Sequence, residues 1–472
     1  MSPVVLACRN LIRNRRRSTV TLFAMALGLT TVLLFGGYVR DIKYAMQTDF
    51  VRRTGHLQVQ HKDFFLLGSG NPAAYGIEGY EAIVGAIRDD PVLGPLVKEV
   101  APVLQFGGIA GNFSSGASRT AMITGIVPDE QNRMRQWNDY GQRVQVRPLT
   151  LQGSAPDSVV LGVGLARVLD LCGELKVPDC LPAAAAKDAA SGAAAAKDGS
   201  GTLPADIADL ASSTQAAGAR PERGVRMELL ASGPKGAPNV ASVTPIGAEF
   251  QGIKELDEIA VVSHLALAQR LVYGSTAKQV TAIAVQLHHT ADLVAAQERL
   301  ARLFAERFPA KPLAVVDFGT LNPFYGQTIR MFDSIFGFIS ALIGGIVLFT
   351  VTNTMSMMVV ERTVEIGTLR AIGLRRTGVR RMFVLEAVVL GLAAAAAGIL
   401  SSLLLAWMVN RMNLEWTPPT RIEPVPLSIG LGGEYLMMLS SAAALVLVAV
   451  ASAFVPAARA SKMNIVDALR HV

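Results

Sequence analysis

Uncharged apolar runs alternate along the chain with stretches in which polar and apolar residues are mixed. Four of these runs continue for about 22 to 27 residues without a charged side chain. An α-helix rises about 1.5 Å per residue, so each run is long enough to cross the roughly 30 Å hydrocarbon core of a bilayer. The pattern predicts four transmembrane helices, at 18–39, 331–360, 383–410 and 435–456.

Residues 40–330, between the first two predicted helices, show a different pattern. Strand-like alternation at 56–60 and 313–318 occurs near helix-like segments at 79–89 and 291–308. The strand–helix–strand order recurs at both ends of this region, and further strand-like segments lie between them. The pattern predicts an extracytoplasmic α+β domain that is interrupted by a β-rich insert.

The charge distribution predicts the orientation. The net charge of the chain is +7, whereas 1–17, 359–382 and 457–472 carry +5, +4 and +2, so the remainder is net negative. Cytoplasmic connections of membrane proteins are enriched in Lys and Arg. We therefore expect both termini to be cytoplasmic in an inner membrane. The cytoplasmic segments are then the N-terminus 1–17, the connection 361–382 and the C-terminus 457–472. The segments on the outer side are 40–330 and 411–434.

The first apolar run has an alternative interpretation. Arg13, Arg15, Arg16 and Arg17 followed by an apolar stretch also describe a cleaved signal peptide. The run is long for such a peptide, and no clear cleavage site of small residues follows it. A retained anchor helix is the favoured interpretation, and it gives an even number of membrane crossings.

The composition narrows the class of protein. The hydrophobic fraction is 51% and the mean hydropathy is +0.38, which is more apolar than in ordinary soluble proteins. The basic clusters have no accompanying nucleic-acid-binding motif, so no nucleic acid is expected as a partner. The chain contains no Gly-Lys pair and hence no phosphate-binding loop of P-loop ATPases. His288-His289 lacks further ligands at fixed spacing, and we predict neither a metal site nor catalytic residues.

The connection between the second and third predicted helices is long and charged for a simple turn. Ile366, Leu369 and Ile372 recur at helical spacing and predict one apolar strip. Glu365 lies near the start, where the helix dipole favours negative charge, and Gly373 suits a helix stop. The pattern predicts an amphipathic helix that either lies on lipid head groups or binds a partner.

The sequence around this helix resembles the signature of the permease family of ATP-binding-cassette (ABC) systems, which includes the macrolide exporter, the lipoprotein-releasing permeases and the cell-division permease. The closing segment 456–470 is similar as well. In that family the short helix is a coupling helix, which docks into a groove of a cytoplasmic ABC ATPase. The resemblance rests on Asn353-Thr354-Met355-Ser356, Glu361-Arg362, Glu365-Ile366-Gly367 and Leu369-Arg370-Ala371-Ile372-Gly373.

The resemblance implies a role for the residues of this helix. ATP and Mg would be bound by a separate ATPase subunit, so this chain is expected to hold no cofactor and to be no enzyme. Ile366 and Leu369 are expected to fill the groove of the ATPase. The small residues Gly367, Ala371 and Gly373 belong to the same interface, and the glycines allow close approach. Polar contacts to the ATPase are expected from Glu361, Arg362, Glu365 and Arg370.

The resemblance also implies an architecture and a function. The outer domain would contain a porter-like subdomain that carries the β-rich insert. Because four helices are too few to enclose a usual transport pathway, we also expect a second permease subunit, identical or homologous. ATP hydrolysis would move the outer domain and export or extract a lipoprotein or another hydrophobic substrate. An extracytoplasmic lipoprotein, adaptor or chaperone is a further candidate partner. The alternative is a mechanical signalling or scaffold protein that regulates an extracytoplasmic enzyme such as a cell-wall hydrolase.

Small and polar residues in the apolar runs predict helix contacts. Gly344, Gly345, Gly391 and Gly398 would let helices approach closely, within one subunit or between two. Asn353 is expected to form an interhelical hydrogen bond rather than a substrate site.

Two cysteines lie in the predicted outer domain. Cys172 and Cys180 are closely spaced, and in an oxidising compartment they are expected to pair, the alternative being two free thiols. The low-complexity segment that follows, 183–220, predicts a disordered surface loop or a helical linker.

Overall fold

The fold is that of a computed structural model and divides into two compact units. The helical unit comprises Met1–Gln47, Pro323–Trp416 and Val425–Val472, and the sheet unit comprises Thr48–Asn322 and Thr417–Pro424. The residues that the structure describes are 9, 13, 15–68, 70–142, 146–177, 225–234, 236–274, 278–417 and 424–463.

The described elements include helices and strands of very different lengths. The helices are α1 Arg15–Thr54, α2 Phe64–Leu67, α3 Tyr80–Arg88, α4 Pro128–Arg135, α5 Val163–Val168, α6 Lys254–Asp257, α7 Leu265–Tyr273, α8 Leu293–Arg307, α9 Phe318–Leu321, α10 Pro323–Glu361, α11 Thr363–Ala371, α12 Arg376–Arg411 and α13 Tyr435–Lys462. The strands are β1 Leu57–His61, β2 Ile77–Glu78, β3 Val97–Asn112, β4 Ala117–Ile126, β5 Ser158–Gly162, β6 Met227–Ser232, β7 Pro238–Glu249, β8 Ala260–His264, β9 Gln279–Val280, β10 Ala282–Leu287, β11 Leu313–Asp317, β12 Glu415–Trp416 and β13 Val425–Pro426.

Four helices, α1, α10, α12 and α13, are long and apolar enough to cross a membrane. Each is longer than its predicted span, and α1 shows the largest difference. It continues to Thr54, so residues 40–54, which were predicted to belong to the outer domain, are helical. The reason is that no Gly or Pro interrupts the chain between Tyr38 and Thr54. The helix stops at Gly55, which has φ +77°, and a Cβ there would lie 2.8 Å from the backbone oxygen of Val285.

The other three long helices also extend past the predicted spans. α10 begins at Pro323, since proline is well suited to the first helical position. α12 begins at Arg376, which places Arg380 and Arg381 inside that helix instead of in the connection predicted at 361–382. α13 continues through Pro456 to Lys462.

The helical unit is held together by close contacts between helices. A Cβ at Gly391 in α12 would lie 3.4 Å from the Cα of Val446 in α13. A Cβ at Gly398 would lie 3.0 Å from the backbone oxygen of Ala26 in α1. Both glycines thus lie where two helices approach closely. The fully or almost fully buried apolar core around them includes Met25, Leu33, Val351, Met355, Ala387, Leu390, Ala394 and Ala453.

The sheet unit is built on a nine-stranded mixed sheet. The strand order is β11-β1-β10-β3-β4-β8-β5-β7-β6, with parallel pairing of β4 with β8 and of β5 with β7. β3 also pairs with β6, so the six strands from β3 to β6 in this order close into a ring. The remaining strands, β10, β1 and β11, extend the sheet from β3 to an edge at β11.

Helices cover the sheet and enclose its core. α3 contributes Ile83 and Ile87, and α8 contributes Leu300 and Leu303, to one apolar cluster with the strands. The predicted segments 56–60, 79–89, 291–308 and 313–318 correspond to β1, α3, α8 and β11. An α+β arrangement is therefore observed, while its division into a porter-like subdomain and an insert remains a prediction.

Two predictions concern residues outside the described part of the chain. The low-complexity segment 183–220 lies there, as does Cys180. Cys172 is disulfide-bonded. Its pairing with Cys180 stays a prediction.

Candidate coupling site

The segment between α10 and α12 folds into a separate short helix, α11. The break from α10 occurs at Arg362, whose φ and ψ of −106° and 18° are not helical. Gly373 ends the segment with φ +106°, a conformation that favours glycine. Arg375 is extended and precedes the first residue of α12. The predicted 22-residue coupling segment 361–382 therefore contains the last residue of α10, the nine-residue helix α11, a tight turn and the start of α12.

The inner face of α11 is packed against the helical unit itself. Arg362, Thr363, Ile366 and Gly367 are buried. Ile366 is 1% exposed. It belongs to an apolar cluster formed by residues of α10, α12 and α13, namely Val359, Val379, Phe383, Ala457 and Ala460.

This burial corrects the expectation that Ile366 and Leu369 together fill a groove of an ATPase. Ile366 already has apolar partners within the chain, and it is their burial that docks α11. Leu369 is 40% exposed and Ile372 is 81% exposed. The predicted apolar strip is therefore divided between the inner and the outer face.

The outer face of α11 carries apolar side chains that contact little of the chain. Val364, Thr368 and Ile372 follow one another at four-residue spacing, with Leu369 and Ala371 beside them, and all five are exposed. We call these five residues the exposed α11 face. A short helix that buries one face and still presents several apolar residues on the other has the form of a docking element.

The charged residues of the segment are bonded within the chain. The guanidinium of Arg362 donates from Nη1 to Glu386 Oε1 at 2.9 Å and from Nε to Glu365 Oε2 at 3.0 Å. Arg13 Nη2 lies 2.7 and 2.9 Å from the two carboxylate oxygens of Glu365. Glu361 pairs with Arg17.

The fourth charged residue, Arg370, donates from Nη1 to the backbone oxygen of Met463, just after α13. Glu361, Arg362, Glu365 and Arg370 were all predicted to contact an ATPase. In the structure Arg362, Glu365 and Arg370 hold α11 to other parts of the helical unit, Glu361 ends α10 and pairs with Arg17 of α1, and the contact of these four residues with an ATPase stays a prediction. For Arg362 the physical reason is that a guanidinium beside a buried carboxylate gains more from that partner than from water.

Electrostatics keep Glu365 ionised. The hydrogen bond from Arg13, followed by that from Arg362, lowers the pKa of the Glu365 carboxyl below its ordinary value. Two guanidinium groups thus share this carboxylate. Glu386 lies at the other end of the chain of charges and is 0% exposed within α12.

Three residues of the candidate site were missed by the sequence interpretation. Glu386 was included without comment in the predicted helix at 383–410, whereas Arg13 and Arg17 were counted only as part of a basic N-terminus. The available signal was a lone acidic residue at the start of an apolar run, 24 positions after Arg362. A buried carboxylate there requires a cation, and the sequence offered several.

The predicted packing residues of α10 lie on its outer surface. A Cβ at Gly344 or Gly345 would meet nothing within 4 Å. Asn353 is exposed and its side chain makes no hydrogen bond with any other described residue, so the predicted interhelical bond is not formed within the described part of this chain.

No group of three potential metal ligands occurs among the described residues. His289, one of the two adjacent histidines, pairs instead with Asp139, at 2.7 Å between Nδ1 and Oδ1. The hydrogen bond that this imidazole donates to the Asp139 carboxylate raises its pKa.

Two protein-family models match the chain. Residues 335–465, which include α11 and Glu386, match the FtsX-like permease C-terminal model. Residues 18–177 match the MacB-like periplasmic core domain. The two matches therefore cover most of the helical unit and about half of the sheet unit, and they contain the whole of the candidate coupling site except Arg13 and Arg17.

Individual relatives agree with these models. A macrolide export ATP-binding/permease protein, MacB 1/2 of Paracoccus denitrificans, is 28% identical over 215 residues, which are 45% of this chain and 30% of that protein. MacB 1 of Aeromonas hydrophila is 30% identical over 190 residues, covering 40% of the chain and 27% of that protein. The ABC transporter permease YtrF of Bacillus subtilis is 33% identical over 146 residues, covering 28% of the chain and 30% of that protein.

The alignments thus span less than a third of the length of these relatives. They agree with the two family models and with the four apolar helices in assigning the class of membrane protein. The chain belongs to the ABC transporter permeases of the MacB/FtsX type.

Proposed function

We propose that this chain is the transmembrane subunit of an ABC transporter whose ATP is bound and hydrolysed, with Mg, by a separate cytoplasmic ATPase. The observation that carries the proposal is α11: a short helix between two membrane helices, fixed on one face and exposed on the other. ATP-driven movement of the ATPase would displace α11, and the long helices would pass this displacement to the sheet unit.

The surface that contacts the ATPase is the exposed α11 face. Ile372 and Leu369 supply apolar contact, and Gly373 lets the chain turn away directly after it. Glu361, Glu365, Arg362 and Arg370 serve mainly to hold the helix in place through their bonds within the chain. This assignment places α11 on the cytoplasmic side of the inner membrane, together with the basic N-terminal segment that it contacts through Arg13 and Arg17.

A second permease subunit, identical or homologous, would pack against α10. In the most apolar stretch of α10, 11% of the residues are buried within the chain, compared with 44% in the corresponding stretch of α1. Gly344, Gly345 and Asn353 all face outward on this helix. Glycine allows another helix to approach closely, and an asparagine in the hydrocarbon region gains a hydrogen bond when a neighbouring helix supplies a partner.

The cargo would be a hydrophobic molecule or a lipoprotein, taken up or released at the sheet unit. Support comes from the relatives, which are named as macrolide exporters, and from the match to a MacB-like periplasmic core domain. An extracytoplasmic lipoprotein, adaptor or chaperone would then receive the cargo. If the same movement instead activates a cell-wall hydrolase, the bound partner outside will be an enzyme and no cargo will accumulate.

The proposal is tested by replacing an exposed residue of α11. Ile372→Asp should abolish ATPase binding, because a charge would enter an apolar contact, and should leave insertion unchanged, because the side chain is 81% exposed. The matched control is Phe113→Asp, at a residue of the sheet unit that is 75% exposed. Each tagged variant would be purified from native membranes in mild detergent, and bound proteins identified by mass spectrometry.

A P-loop ATPase that is retained by the native sequence and by the control, and is lost with Ile372→Asp, supports the proposal. Equal retention by all three proteins contradicts the assigned surface. If no ATPase binds the native sequence while other membrane complexes survive the same purification, the transport function itself is wrong.

A further inference from the structure

α11 is attached to the rest of the helical unit by three sets of polar contacts. Arg362 bonds to Glu386 in α12. Glu365 bonds to Arg13, and beside it Glu361, the last residue of α10, bonds to Arg17. Arg370 bonds to the backbone just after α13. These attachments differ in burial, which decides how firmly each one can transmit a movement.

The Arg362–Glu386 pair is buried on both sides. The Arg362 side chain is 8% exposed and that of Glu386 is 1% exposed, and the two charged groups are 2.9 Å apart. Water screens such a pair poorly, so the attraction is strong and its geometry is well defined. Separating the partners inside the unit would leave a buried charge without its counterion, which is strongly unfavourable.

The attachment to the N-terminal segment is exposed. The side chains of Arg13 and Glu365 are 55% and 46% exposed, and those of Arg17 and Glu361 are 42% and 35% exposed. Exposed pairs of this kind are weakened by water and salt and contribute little. They can open and close without moving the elements that carry them.

The position of the buried pair is also distinctive. Arg362 lies at the break between α10 and α11, and Glu386 is the eleventh residue of α12, about three turns from its start. The covalent path from α11 to α12 runs through the turn at Gly373, whose backbone is the most adaptable of the segment. A displacement of α11 could be taken up by a change in that turn alone, unless a second and firmer connection transmits the displacement to α12.

We propose that the Arg362–Glu386 pair is this connection: a positioning pair that fixes α11 to α12, so that displacement of α11 moves α12 as well. The inference rests on the proposed docking of an ATPase to the exposed α11 face and adds the route by which docking acts. Arg362 and Glu386 act within the chain and do not contact the ATPase. The exposed pairs of Arg13 and Arg17 are dispensable for transmission.

The test compares four proteins: the native sequence, Glu386→Gln, the charge exchange Arg362→Glu with Glu386→Arg, and the control Arg13→Ala with Arg17→Ala. Glu386→Gln keeps the size of the side chain and removes its charge. The exchange variant restores a pair of opposite charges, so it separates the loss of the pair from the loss of either residue.

Two measurements are made on each protein in lipid nanodiscs. The first is amide hydrogen exchange of 363–371 without any ATPase. The second uses the complex with the co-purified ATPase: spin labels on cysteines at Met412, just after α12, and Leu436 in α13, both exposed, report movement of α12 as a change in their distance on addition of ATP and Mg.

We expect Glu386→Gln to speed exchange in 363–371 at least tenfold and to abolish the ATP-dependent distance change while the ATPase stays bound. The control should change exchange less than threefold and keep the distance change, and the exchange variant should recover part of both. Retention of the full distance change by Glu386→Gln overturns the inference, as does an equal effect of the control.

The two proposals fail in different ways. Loss of the ATPase itself from Glu386→Gln would show that the pair supports docking, which overturns the transmission role. If the native sequence binds no ATPase, the proposed function fails and the transmission role fails with it. A tenfold change in exchange would then still identify the pair as the anchor of α11.

Discussion

The two units each fix the end of a long helix with buried polar contacts, but they use different chemistry. In the sheet unit the last turn of α1 is held mainly by neutral hydrogen bonds. Gln286 Nε2, fully buried, donates to the backbone oxygens of Val51 and Met134 at 3.1 and 3.0 Å. In the helical unit the break before α11 is held by the charged pair Arg362–Glu386.

The contacts of the sheet unit extend into one network, in which Arg52 is the charged donor. Arg52 Nε donates to the backbone oxygen of Trp137 at 2.6 Å, and Trp137 Nε1 donates to the backbone oxygen of His288. His56 is 0% exposed and lies edge-on to the indole of Trp137, with ring centroids 4.9 Å apart. Its Nδ1 accepts from the backbone N–H of Leu287, so Nε2 carries the proton toward Thr290 Oγ1.

The difference is one of tolerance to movement. A bond to a backbone oxygen is satisfied in one register only, so the α1 end is fixed to the sheet unit in one arrangement. A buried ion pair has a larger attraction and a larger penalty on separation, so the two helices it joins tend to move together. Hydrogen bonds to backbone oxygens therefore suit a helix end that stays fixed, and a buried ion pair suits two helices that move together.

The largest expected effect comes from breaking the Arg362–Glu386 ion pair. Arg362→Ala removes the guanidinium partner of a buried carboxylate, which should lower the free energy of unfolding by about 3–5 kcal/mol. Thermal unfolding in detergent would measure this loss. The matched double variant Arg362→Met with Glu386→Leu should recover most of it, because both charges are gone. A double variant as unstable as the single one would contradict a pairwise interaction.

The next effect tests the hydrogen-bond network around His56 by the dependence of stability on pH. Burial lowers the pKa of His56 to about 4 from its ordinary 6.5. Between these values the unfolded chain binds a proton that the folded chain does not. Stability of the sheet unit should therefore be fully present above pH 6.5 and decline by about 3 kcal/mol as the pH falls to 4.

Fluorescence of Trp137 during denaturant unfolding would measure this decline, with Trp407 and Trp416 replaced by Phe in the full chain. His56→Gln is the control and should remove the dependence within this pH window. A His56→Gln protein with an unchanged pH profile would assign the decline to other groups.

A smaller loss of stability is expected when the hydrogen bonds of Gln286 at the end of α1 are removed. Gln286→Leu keeps the size of the side chain but removes one of the two donors to each of the backbone oxygens of Val51 and Met134, which keep the N–H groups of Gly55 and Trp137. Each lost buried hydrogen bond is unfavourable, and the free energy of unfolding should fall by about 1–3 kcal/mol. Gln136→Leu, at an exposed position directly after α4, is the matched control and should change it little. If denaturant titrations give the same free energy of unfolding for the two variants, Gln286 does not fix the end of α1.

The smallest effect is expected from the exposed pairs. Arg13→Ala and Arg17→Ala should each lower stability by less than about 1 kcal/mol, since exposed ion pairs contribute little. Raising the salt concentration to about 1 M should remove even this difference by screening. Thermal unfolding at low and high salt measures both. A loss as large as that of Arg362→Ala would mean that the N-terminal segment is a principal attachment of α11.

Much of the fold was available from the sequence because its determinants are local. Four uncharged runs predicted four long helices, and alternation at 56–60 and 313–318 predicted β1 and β11. The short helix between α10 and α12 was also predicted, since its apolar spacing and the stop at Gly373 lie within a dozen residues.

Contacts between distant residues were not available in this way. β6 and β7 had no counterpart among the predicted strands. The pairing of β6 with β3 that closes the ring joins residues more than a hundred positions apart. The full length of α1 was also not available, because the helix continues past the predicted span to Thr54 and stops at Gly55, where the close approach of Val285 in β10 leaves no room for a side chain.

By itself the sequence determined the number of long helices, the place of α11 between two of them, and the family to which the chain belongs. Only the tertiary structure decided which face of α11 is free. Helical spacing puts Ile366 and Leu369 on one strip, but the cluster around Phe383 and Ala457 buries the first and leaves the second exposed. The partner of Arg362 was decided in the same way, because a buried carboxylate finds its cation by distance in space and not by distance along the chain.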